Sequence, residues 1–98
     1  MPEIVLKTDI PDKAAEIISE ALETESLRLK YSIQLAKKRL SKFEKKYQIS
    51  SEIFIDEWSA EDLDGKDLEY VEWAGEYHLS KKLNERLDAL KSIRHVSS

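Results

Sequence analysis

The stretch LDGKDLEYVEWAGEYHLSKKLNERLDAL, Leu63 to Leu90, decides the fold. It opens acidic, carries Glu72-Trp73-Ala74-Gly75 at its centre and closes basic, with Leu83, Leu87 and Leu90 at helical steps. Apolar residues at steps of three and four mark one long amphipathic helix, which needs another helix to cover its apolar face. A glycine in mid-helix costs about 1 kcal/mol relative to alanine. Gly75 beside Trp73 therefore signals core packing or the close approach of another backbone: the first helix, a second subunit or a different protein.

Working outward, the 98 residues allow one domain at most. Charged residues make up 37% of the chain, with two Gly and two Pro, a balance suited to long helices rather than to a sheet with many tight turns. Without cysteine there is no disulfide and no thiolate metal site. No apolar run approaches the roughly 20 residues of a membrane span, and Met1 to Ile10 has neither a basic n-region nor a small-residue cleavage site. The expected location is the cytoplasm, away from any membrane. A net charge of −4 disfavours general nucleic-acid binding, which depends on neutralising phosphates.

Taken in order, Glu3 to Ile10 is an extended N-terminal arm (1–10) with the β-branched composition of a short strand. A lone strand would need a second copy or another chain to pair with. Pro11 suits the first turn of a helix. From there to Tyr47 neither Gly nor Pro occurs, and Ala15, Ile18, Leu22, Leu29, Ile33, Ala36, Leu40, Phe43 and Tyr47 keep a helical stripe. The stripe lapses at Glu23–Ser26, where the helix either continues or breaks; continuity is favoured, because no strong breaker stands there. A helix over 11–48 is about 55 Å long at 1.5 Å per residue, so the molecule should be elongated. Ser50 or Ser51 caps a short helix over 51–58, and the second long helix covers 66–93.

Charge comes in four blocks. Asp12 to Glu25 is acidic, Arg28 to Lys46 basic, Asp56 to Glu76 acidic and Lys81 to Arg94 basic. An antiparallel hairpin sets each acidic block beside a basic one, whereas parallel pairing sets like against like. Exposed pairs are worth only a few tenths of a kcal/mol each. They do not drive folding, but together they select orientation. Dipole matching alone fades within a turn, and these blocks span several. The same complementarity would serve an antiparallel homodimer.

No catalytic, cofactor or metal signature stands out. Glu69, Glu72 and Glu76 share a helix face, as in some carboxylate metal sites, but the Glu-x-x-His of a di-metal bundle is missing at His78. His78 and His95 have no Ser or Cys nucleophile motif to serve. The cluster Lys37, Lys38, Arg39, Lys42, Lys45 and Lys46 could touch nucleic acid, but it more simply faces solvent or the Asp56–Glu76 block. A strand followed by a helix resembles the start of a ribbon–helix–helix DNA binder, a fold that would need a turn at Glu23–Ser26.

KRLSKFEKKYQISSEIFIDEW, followed by DLDGKDLEYVEWAGEYHLSKKLNERL, resembles a group of small archaeal and bacterial proteins. They look like the small partner in two-gene toxin–antitoxin modules. The resemblance covers roughly Lys38 to Leu90 and implies an antitoxin-like role with no catalytic residues to carry over. The sequence is thus expected to give an all-α protein: a long antiparallel helical hairpin with a short connecting helix, paired as a homodimer. Leu22, Leu29, Ile33, Leu40, Phe43, Leu83, Leu87 and Leu90 are expected in the core or dimer packing. Trp58, Glu69, Glu72, Trp73 and Glu76 are expected to meet a small basic, toxin-like partner. The alternatives are a DNA-binding regulator and a structural helical adaptor; an enzyme is the least expected class.

Overall fold

The computed structural model describes residues 3–58 and 67–93. Three helices follow in order: α1 (Pro11–Tyr47), α2 (Ser51–Glu57) and α3 (Asp67–Ser92). The expected loop Ser59–Lys66, with Gly65, and the tail Arg94–Ser98 lie outside the described residues.

α1 begins with Pro11 in its first turn and Asp12 at the positive end of its dipole, and Lys45 and Lys46 close it. Glu23–Ser26 is helical throughout. Glu25 bridges that turn to Arg28 and, at 4.0 Å, to Arg86 on α3. α1 stops at Gln48, whose φ of 56° is left-handed and whose N–H donates back to the Glu44 carbonyl. Two residues later Ser50 caps α2, its hydroxyl accepting from the Ile53 N–H at 3.3 Å.

α3 packs antiparallel on α1 with α2 wedged at the closed end, which is the all-α hairpin the charge order anticipates. The core comes in two pieces. Near the closed end Leu40, Phe54 and Trp73 are buried, with Phe43, Tyr47, Trp58, Tyr70 and Tyr77 around them. Midway along, Leu29 and Ile33 of α1 meet Leu87 of α3, flanked by Leu83 and Leu90. Of the expected packing residues, only Leu22 stands apart from both clusters.

The molecule measures 61 × 26 × 18 Å, with a radius of gyration of 19.2 Å. A compact chain of this length would have about 13 Å. Within one chain Glu3–Ile10 carries no ladder, because among the described residues the helical hairpin offers no strand edge to pair with. A ribbon–helix–helix start is lost, since α1 runs straight through its required turn.

Candidate functional site

The closed end of the hairpin explains most of the residues expected at a partner surface. Trp73 is 0% exposed. Its ring stacks on Phe54 at 3.8 Å and lies near-parallel to Phe43 at 5.4 Å and Tyr47 at 5.5 Å. Its indole N–H donates to the Ser51 hydroxyl at 2.8 Å, and that hydroxyl donates to Glu44 at 2.8 Å. The Ser51 backbone N–H donates to the same carboxylate oxygen at 2.8 Å. One carboxylate of α1 thus holds the start of α2, which in turn satisfies the only polar atom of the α3 tryptophan. Trp73 is therefore a core residue, and while the hairpin is closed it offers no surface to a partner.

The expected acidic face is turned largely onto the chain itself. Glu69 accepts from Lys46 at 2.5 Å and from the Tyr47 hydroxyl. Glu76 accepts from Arg39 at 3.2 Å. These contacts raise the pKa of two donors. Lys46 is raised chiefly by its hydrogen bond to Glu69. The Tyr47 phenol is raised by its hydrogen bond to that carboxylate, with burial acting in the same direction. Trp58 is half-buried, edge-on to Tyr47 at 6.1 Å, and Glu72 is exposed in a cleft with Arg39, Lys42 and Phe43. Of the basic cluster, Arg39 and Lys46 face α3 carboxylates, while Lys37, Lys38, Lys42 and Lys45 are exposed.

The other end of the molecule is open. α1 has 37 residues and α3 has 26, so roughly the first three turns of α1 have no α3 beside them. Ile93, just past α3, stands at the level of Leu22. Here Ile4, Leu6, Lys7 and Thr8 of the arm, Pro11, Ala14, Ala15, Ile18 and Leu22 of α1, and Ile93 line a trough of about 730 Å³. Ile4 is 90% exposed and Leu6 is 71% exposed. At 100° per residue, Ile17, Ala21, Ala14, Ile18, Leu22 and Ala15 share an arc of roughly 160° on α1, wide enough to face a core. Asp12, Glu16, Glu20 and Glu23 take the opposite side. Residues 3–27 contain seven acids and two bases, a net −5 in a chain whose total is −4. The remainder is therefore close to neutral, at +1. Among the described residues, Asp12, Glu16, Glu20 and Glu23 form no ion pair.

The sequence reading placed Ile18 and Leu22 on a stripe but did not single out this end. The signal was the unequal length of the two long helices. Comparison with known protein families, curated proteins and solved structures finds no match. No described helix is long and apolar enough to cross a membrane.

Proposed function

We propose that this chain is a non-enzymatic protein–protein interaction protein that captures a small basic partner at the open end of α1, an antitoxin-like role. The carrying observation is the apolar trough set at the end of the molecule whose residues 3–27 carry a net charge of −5. An apolar helix face of this width is stable in water only when something covers it. The net −5 of residues 3–27 disfavours a second copy of the same end, and it disfavours an anionic membrane surface as well. A basic amphipathic helix satisfies both features: its apolar side fills the trough, and its charge is drawn by the net −5 of residues 3–27. The antitoxin-like role is what the resemblance of Lys38–Leu90 implies, and the open end lies outside that stretch.

The test is capture from the native lysate by the tagged chain, run beside two variants that leave the hairpin intact. Ala15→Arg fills the trough at an exposed, helix-compatible position. Glu16→Lys with Glu20→Lys reverses the charge. The expected result is one small basic protein, retained by the wild type, lost with Ala15→Arg and weakened by the charge reversal. That protein alone should arrest growth, and co-expression of this chain should relieve the arrest. A partner retained equally by all three, or an acidic one, would overturn the proposal.

A further inference from the structure

The side of α1 that faces away from α3 carries an uncovered stripe of its own, set opposite the apolar arc of the trough. At 100° per residue Asp12, Glu16, Glu20 and Glu23 fall within roughly 80° of one another. The same line runs on through Leu27 and Tyr31 to Lys38 and Lys45. All eight are exposed, Leu27 by 63% and Tyr31 by 64%. The stripe is thus acidic over the first half of α1 and basic over the second, with two large apolar side chains one turn apart at its middle. These charges are not engaged inside the chain. Arg28, Arg39 and Lys46, on the flank of α1, face Glu25, Glu76 and Glu69. Among the described residues Asp12, Glu16, Glu20, Glu23, Lys38 and Lys45 form no ion pair.

We infer that two copies of this chain pair antiparallel through this stripe, with the two-fold axis at the level of Leu29, the midpoint of α1. Leu27 of one copy then comes level with Tyr31 of the other, and the axis repeats the contact, so the exposed apolar side chains of both copies meet at the centre. Outward from there Glu20 comes level with Lys38, Glu16 with Lys42 at the edge of the stripe, and Asp12 comes within a turn of Lys45. Each acidic end meets the basic half of its partner and not its own equivalent. Charge also rejects the alternatives. A parallel pair in register sets Glu20 against Glu20 and Lys38 against Lys38, and a parallel pair staggered by half a helix leaves half of each stripe uncovered and does not close. Lys13 comes level with Lys45, and Lys30 lies near the axis at the edge of the stripe; both side chains are long enough to carry the ammonium out to solvent. Exposed pairs contribute little each, so the central Leu27–Tyr31 contacts carry the affinity and the flanking pairs fix the direction. The trough, on the opposite side of α1, stays open in both copies, and the pairing does not depend on what fills it.

Light scattering on the full chain, over a concentration series at low ionic strength, tests this. The wild type should approach twice the 11.4 kDa chain mass. Tyr31→Glu and Lys38→Glu, both at exposed positions, should each raise the dimer dissociation constant roughly tenfold with circular dichroism unchanged. Lys38→Glu combined with Glu20→Lys should restore the dimer, because the facing charges are again opposite in sign. Val71→Lys, on the exposed outer face of α3, should leave it unchanged. A wild type that is monomeric throughout, a Tyr31→Glu or Lys38→Glu protein that pairs as tightly as the wild type, a double variant no tighter than Lys38→Glu alone, or a dimer broken by Val71→Lys would each overturn the inference.

Discussion

Trp73 shows what a single residue contributes here. Its ring fills the space between three helices, and its N–H is satisfied only because Glu44 holds Ser51 in place. Removing the ring opens a cavity that α1 and α2 can close only in part, so Trp73→Ala should cost about 3–5 kcal/mol in chemical denaturation. Ser51→Ala leaves a buried indole N–H unpaired and should cost about 1–3 kcal/mol, with a shift in tryptophan emission. The turn at Gln48 should respond in the other direction. A left-handed non-glycine residue is strained by about 1 kcal/mol, so Gln48→Gly should stabilise the hairpin by an amount of that order. Titration adds a fourth test. Lys46 and Tyr47 both have raised pKa values when folded. Their contribution is complete below their unfolded values near pH ~10 and is lost as pH rises through the folded values. Stability should therefore fall on the alkaline side, and Glu69→Gln should flatten that fall. The core role of Trp73 was legible in principle: Leu87, Ser80 and Trp73 stand seven apart, so extending the leucine stripe backwards reaches it. What hid it was a second apolar strip on α3, Leu68–Val71–Leu79, which blurs the phase.

At the scale of elements, the helices were readable because the chain obeys local rules. α1 has no breaker after Pro11, Ser50 is a proper cap for α2, and Leu29, Ile33, Ala36 and Leu40 keep step. Orientation was readable because the charge blocks alternate, and Lys46–Glu69, Arg39–Glu76 and Glu25–Arg86 realise the pairing. The arm was less readable. Ile4, Val5 and Leu6 have strand composition, but a strand exists only with a neighbour, and composition cannot supply one. The trough was missed for a related reason, since an apolar stripe looks the same whether or not a helix covers it. Native-state hydrogen exchange should separate the two parts of α1. Amides over residues 11–21, with no α3 alongside, should exchange much faster than those over 29–40. Equal protection in the chain alone would mean that the open end is covered within one copy.

Across the whole molecule, apolar contact and charge have separate places. The closed end is an aromatic core flanked by the Lys46–Glu69 and Arg39–Glu76 pairs, and the open end combines exposed apolar surface with the net −5 of residues 3–27. Association with a basic partner should accordingly be fast at low ionic strength and slow as salt rises. Glu16→Lys with Glu20→Lys should act mainly on the association rate, and Ala15→Arg mainly on the dissociation rate. The most direct measurement is hydrogen exchange on the tagged chain, free and in complex with the protein it captures. New protection over residues 3–22, with α2 and the first half of α3 unchanged, is the predicted result. Protection confined to Lys37–Lys46 or to Glu69–Glu76, with the open end still exchanging freely, would contradict the account.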